Sequence, residues 1–250
     1  MVDEYFEKFR SFRPSQFSTP PEQKYQCEKC QDTGWIECFD EQGNSYAKRC
    51  DCWAIREARR MLLQSGISEE FQNKRFKSFD TRGDKRLENA KNSAMRYVKA
   101  FSETERTRYN SIIFCGQVGA GKTHLGIAIC NHLMKDGIAV AYMPYRNAIT
   151  KIKQRITDED NYDRELDKYI KARVLYIDDL LKGKTTESDT NIMYEIVNYR
   201  YMNNLPLIIS SELTTEGLLD FDEAIGSRII EMCRGNIIQL TGRDLNYRLR

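Results

Sequence analysis

Two groups of residues in this sequence have types and spacings that could do chemistry. The first is GQVGAGKT, in which Gly116, Gln117, Val118, Gly119, Ala120, Gly121, Lys122 and Thr123 follow the order G-x-x-x-x-G-K-T. Glycines let successive backbone N–H groups turn inward around phosphate oxygens, and the N-terminus of a following helix adds a field favourable to negative charge. Lys122 then reaches the β- and γ-phosphates of a nucleoside triphosphate, and Thr123 offers its hydroxyl to Mg2+. The second group is Cys27 and Cys30, spaced C-x-x-C, followed after 19 residues by Cys50 and Cys52, spaced C-x-C. Four thiolates from two loops can enclose a tetrahedral Zn2+ with no open position, which suits a structural metal and not a catalytic one. Cys38, between the two pairs, is an alternative ligand. So short a stretch cannot build an apolar core, so metal binding there would be inseparable from folding.

A P-loop lysine and threonine need a carboxylate at the end of another central strand, and VLYIDDL supplies Asp178 and Asp179. Asp178 is the candidate on the metal side. Asp179 points toward the place of an attacking water, a position where Glu is commoner. Arg228, in EAIGSRIIEMC, is the candidate arginine delivered from a neighbouring subunit, its structural alternative being a local pair with Glu231. Ser210 and Ser211 close the run LPLIIS; either could bond the γ-phosphate or the water, or satisfy its own backbone.

These residues need a rigid frame, and the sequence supplies one. From Ser111 onward short apolar runs at 111–115, 138–143, 173–178, 205–210 and 236–240 alternate with helical patterns at 121 onward, 147–171, 188–203 and 223–233. Continuous apolar runs are what strands buried on both faces require, so the expectation is an α/β fold with a parallel five-stranded sheet covered by helices. Ahead of it, Leu87, Ala90, Ala94, Tyr97, Val98 and Phe101 recur at helical spacing on a basic helix, and Ile55–Gln64 reads as a short helix that stops at Gly66. Three regions follow: 1–66 with the cysteine module, 67–110 leading inward, and 111–250 as the phosphate-binding domain. Cys115, Cys130 and Cys233 fall in the apolar framework as small buried hydrophobes.

With 39 Lys and Arg against 37 Asp and Glu among 250 residues, the global charge neither announces nor excludes a polyanionic partner. No window reaches the ~18 apolar residues of a membrane span, and Met1–Arg13 carries no apolar signal core. The expected location is the cytosol. In that reducing setting clustered cysteines point to metal before disulfides.

The sequence resembles the AAA+ helicase loaders of the DnaC/DnaI type, part of the IstB-like ATPase clade. The resemblance rests on CEKCQDTGWI with RCDCWAIREARRMLLQSGI, on RFKSFD, IFCGQVGAGKTHL, VLYIDDL and NYRYMNNLPLIISSEL, and on IGSRIIEMC with the closing GRDLNYR. It implies a P-loop AAA+ (ASCE) domain that binds and hydrolyses ATP with Mg2+, with His124 adjoining the nucleotide loop. It also implies a hexameric replicative helicase of the DnaB type as partner, delivered to single-stranded DNA, gripped by the amino-terminal zinc module and released according to ATP state. Self-assembly through Arg228 in trans belongs to the same implication. Glu212 stands where relatives often show Asn, and Leu181 where Gly commonly follows the two acids. The sequence ends at Arg250 shortly after the last strand, so no helical lid is expected, and Arg248 is a late arginine near nucleotide. For DNA the local candidate is Lys151, Ile152, Lys153, Gln154 and Arg155, with Tyr145 or Tyr162 to stack on bases, although a solvated amphipathic helix carries the same residues. Two other functions share the P-loop: an IstB-like transposition helper, which usually brings a helical amino-terminal domain, and a small-molecule kinase, which needs an acceptor pocket.

Overall fold

The structure, a computed structural model, describes residues 25–53, 55–57, 60 and 73–249. The helix stop expected at Gly66 and the charged start at Met1–Arg13 lie outside the described residues. The chain divides after Cys50 into two units.

The first unit contains an antiparallel hairpin, β1 (Trp35–Phe39) and β2 (Ser45–Arg49), paired from Trp35 opposite Arg49 to Phe39 opposite Ser45. Its turn is closed by Asp40, whose Oδ1 accepts the backbone N–H groups of Gln42 and Asn44. No strand residue of the hairpin is buried. A loop-rich module was expected here. The hairpin is the difference, and the polar SYAKR strand gives little period-2 signal to announce it.

The second unit is a parallel sheet in the order β4-β5-β6-β3-β7, formed by β3 (Ile112–Gly116), β4 (Val140–Pro144), β5 (Val174–Leu180), β6 (Leu207–Ser211) and β7 (Ile237–Leu240). All five expected strands are present. Alternate strand residues feed two cores. Ile113, Met143, Ile177 and Ile209 face one side; Ile112, Phe114, Tyr142, Tyr176 and Ile208 face the other.

Helix α1 (Lys85–Thr104) starts at Asp84, whose carboxylate accepts the N–H of Arg86, and it buries the expected apolar stripe. It packs on α2 (Lys122–Lys135) and β7, so it belongs to the sheet unit. The single helix expected over 147–171 is two, α3 (Tyr145–Lys153) and α4 (Glu159–Ile170), because Asp158 caps a new start by accepting the N–H of Asn161. They are followed by α5 (Glu187–Met202), a short unexpected α6 (Thr215–Phe221), and α7 (Glu223–Met232). Beyond β7 only two single turns, Arg243–Leu245 and Tyr247–Leu249, are described. Among the described residues no helix is long and apolar enough to cross a membrane.

Candidate functional site

β3 is flanked by β6 and β7, so its carboxyl end opens at a switch point of the sheet, and the glycine loop leaves there to enter α2. Gly121 starts α2 at φ 84°, and a Cβ on it would lie 2.6 Å from the Phe79 ring. Gly119, at φ 71°, would strike the Asn246 side chain. Only glycine suits either place. Lys122 is buried and donates to the carbonyls of Gly116 and Gln117, each at 2.8 Å. Burial pulls its pKa down, while the charges of Glu212 and Asp179 push the other way.

The Thr123 hydroxyl donates to Asp178 Oδ1 at 2.9 Å, so the two expected magnesium-side groups lie together. Asp178 is held by three further hydroxyls: Tyr176 at 2.7 Å and Ser210 at 2.5 Å on Oδ1, and Tyr142 at 2.9 Å on Oδ2. Burial, with Asp178 beside them, raises the pKa of both phenols, which keeps them as donors. A fixed carboxylate next to a threonine hydroxyl is the hard oxygen set that a hydrated Mg2+ accepts. The two tyrosines escaped the sequence reading. Their signal was parity: Tyr176 precedes Asp178 by two on one strand, and Tyr142 is its register partner on β4.

Ser211, expected to face the phosphate or the water, does not. It is fully buried, and its hydroxyl donates to the Leu180 carbonyl and accepts the N–H of Leu213. The serine at the acids is Ser210, which also accepts the N–H of Asp179 at 2.9 Å. Asp179 and Leu181 have φ of 55° and 60°, and left-handed Leu181 marks the place where a glycine would relieve strain.

Beside the loop lies a cavity of about 390 Å3. Val118, Gly119, Gly121, Lys122, Thr123, His124, Asp179, Lys182 and Glu212 form its phosphate end, and Lys74, Ser78, Phe79, Asp80, Tyr247 and Arg248 line the rest. The Phe79 ring meets His124 edge-on at 5.1 Å. His124 Nε2 lies 3.0 Å from the Arg75 carbonyl, and burial lowers its pKa, which favours the neutral ring. The closing segment is tied down at both ends: Tyr247 donates its N–H to Gly119 O and its hydroxyl to Asp80 O, while Arg86 pairs with Asp244. Phe79, Asp80 and Tyr247 were missed as cavity residues because they meet only through the fold.

Arg228 does not line this cavity. It donates to Ala224 O and lies against the rings of Tyr194 and Tyr201 at 5.3 and 5.5 Å. The expected alternative pair with Glu231 does not form; Glu231 accepts from the Tyr201 hydroxyl. Of the residues read as DNA contacts, Tyr145 is 1% exposed and cannot stack on a base, Lys153 is paired with Asp189 at 2.7 Å, and Tyr162 donates to Glu195. Burial pushes the Cys115 thiol up to about 12 and raises Cys130 and Cys233 as well, so all three are protonated.

Cys27, Cys30, Cys50 and Cys52 bring their sulfurs within 4.8 Å of one another, and Cys38 is not among them. The Cys27 and Cys50 sulfurs are 3.7 Å apart, close to the ~3.8 Å edge of a tetrahedron with zinc–sulfur bonds of about 2.3 Å. Asp32 accepts the N–H groups of Gln26 and Cys27, and Gly34 N–H points at Cys30 Sγ, which shapes the first loop around its thiolates. The donor set fits structural zinc.

Comparison with known proteins agrees with this geometry. The family described as IstB-like ATP binding protein matches residues 48–233. Protein YqaM of Bacillus subtilis (strain 168) is 40% identical over 215 residues, 82% of this chain and 68% of its own. The phage-like element PBSX protein XkdC of the same strain is 36% identical over 96% of this chain and 93% of its own. The replicative helicase loader DnaC of Escherichia coli (strain K12) is 29% identical, covering 78% of this chain and 79% of its own. A crystal structure of DnaI shares the fold at TM-score 0.57 and 23% identity, over 71% of this chain and 93% of that one. A P-loop at the sheet's switch point, its acid on β5 with β6 between the two strands, and this match over most of the length lead to one assignment: the chain, which shares the fold of DnaI, belongs to the IstB-like family of ATP-binding proteins.

Proposed function

We propose that this protein is an ATP-dependent loader of a hexameric replicative helicase of the DnaB type, which it delivers to single-stranded DNA. The observation that carries the reading is the Thr123–Asp178 contact beside the glycine loop, in a chain 29% identical to a protein named replicative helicase loader. On this reading the loop from Gly116 to Thr123 holds the phosphates, with Lys122 moving from the loop carbonyls to the β- and γ-oxygens. Thr123 and Asp178 would hold the water shell of Mg2+, which would supply positive charge to offset that of the phosphates. Asp179 orients the attacking water, with its backbone fixed by Ser210. His124 and Phe79 close the nucleotide end of α2. Arg228 completes the site of a second copy of the chain, and its lack of a carboxylate partner among the described residues leaves its charge available. The Cys27–Cys30–Cys50–Cys52 cluster, with Zn2+, shapes the part that grips the helicase.

The family description alone also fits a transposition helper; the cysteine cluster supports the loader, since such helpers usually carry a helical amino-terminal domain. The deciding experiment is a pull-down of the DnaB-type helicase by the full chain with ATP or ADP, beside Lys122→Ala. The expected outcome is retention that depends on which nucleotide is present, lost as a dependence in Lys122→Ala with zinc content unchanged. Retention indifferent to nucleotide in the native chain would overturn the timing role.

A further inference from the structure

The phosphate end of the cavity contains a second ammonium group besides that of Lys122. Lys182 leaves the turn after β5 and places Nζ 2.9 Å from Asp179 Oδ2 and 2.9 Å from Glu212 Oε1. Lys182 and its two partners in this bridge line the cavity together with Lys122 and Thr123. The turn that delivers it is unusual. Asp179 and Leu181 both adopt left-handed backbone, and Lys182 N–H closes back on the Asp179 carbonyl at 3.1 Å. Non-glycine residues retain such a conformation when surrounding structure enforces it, and here it aims one carboxylate and one ammonium into the same space.

The bridge itself gives the fold little. The Lys182, Asp179 and Glu212 side chains are 43%, 39% and 31% exposed, the range in which ion pairs are weak and screened. A terminal phosphate, with several charged oxygens, is the stronger acceptor for an ammonium. The two acids arise from the ends of the adjacent strands β5 and β6, and Lys182 stands between them at the cavity that Lys122 and Thr123 also line.

We propose that Lys182 is a phosphate ligand acting within its own chain that distinguishes ATP from ADP: its ammonium leaves Asp179 and Glu212 for the γ-phosphate oxygens, and Asp179 is released to hold water. The proposal deepens the ATP reading and rests on it. Glu212, at the position where relatives often show Asn, then acts as the resting partner of Lys182.

The test is calorimetry of the full-length chain with Mg2+ and either ADP or the non-hydrolysable analogue AMPPNP. Lys182→Met is expected to weaken AMPPNP about tenfold and leave ADP within about twofold, since only the third phosphate loses a charge-assisted bond. Glu212→Gln, which removes one competitor for the ammonium, is expected to strengthen AMPPNP about twofold to threefold with ADP unchanged. Equal shifts for both nucleotides in Lys182→Met, or no shift, would overturn the proposal. If Lys182→Met does not fold, an unchanged AMPPNP to ADP ratio in Glu212→Gln overturns it instead. Failure of the underlying reading has a different appearance: the native chain would bind neither nucleotide.

Discussion

The two units hold their strands by different means. In the sheet unit, β3 reads Ile112, Ile113, Phe114 and Cys115 at 0% exposure, and both faces of each central strand are covered by helices. In the hairpin unit no residue of β1 or β2 is buried, and Trp35 and Phe39 are 51% and 65% exposed. Among its described residues the buried ones are Cys30, Gly34 and Cys50, the two cysteines at 5% and 3%. Among the described residues no apolar core supports the hairpin, and the converging thiolates of Cys27, Cys30, Cys50 and Cys52 can. The contrast teaches that phosphate chemistry rests on a frame built by burial, and the amino-terminal hairpin on a donor set.

The largest effect expected from breaking that contrast is loss of the metal ligands. Cys50→Ser, or extraction with a strong zinc chelator, should release bound metal and abolish hydrogen-exchange protection across Trp35–Phe39 and Ser45–Arg49, because binding energy in such modules is folding energy. Amides of β3 and β6 in the same full-length sample should keep their protection. A hairpin that stays protected without metal would mean that something other than the thiolates holds it.

The matching change in the other unit is Phe114→Ala. Phe114 is 0% exposed in the core between the sheet, α1 and α2, and its loss should cost about 3–5 kcal/mol in urea unfolding. Zinc content should not change. A cost below about 1 kcal/mol would mean that this core relaxes into the space, contrary to its close packing.

The same contrast explains what the sequence disclosed. The glycine loop and Asp178 were legible because their chemistry depends on contiguous backbone and on one strand's end, and the five strands because burial on both faces leaves unbroken apolar runs. The hairpin was not legible, since SYAKR alternates no apolar residues and the pairs Cys27–Cys30 and Cys50–Cys52 that flank it meet only in space. Serine parity failed for a local reason. Ile177 pairs with Ile209, but a shift follows and Leu180 pairs with Ser211, so counting along β6 alone does not tell which serine faces the acids. The closing residues Asn246 and Tyr247 came near the glycine loop only through long-range contacts, which no local pattern encodes, whereas Arg248 was expected there from the resemblance and lines the cavity.

The smallest expected effect sharpens the comparison most. Phe39→Ala removes the same side chain as Phe114→Ala, again from a strand, but from one where it is 65% exposed and paired across to Ser45. With so little of its ring withdrawn from water, unfolding free energy should change by no more than ~0.5 kcal/mol, and metal content should be retained. A loss comparable to Phe114→Ala would show a hidden apolar contact and end the distinction between the units. If stability is unchanged while retention of the helicase falls, the exposed ring belongs to the gripping surface and not to the fold. That outcome would divide the module's work: the thiolates would hold the strand pair, and its exposed Phe39 ring would meet the partner.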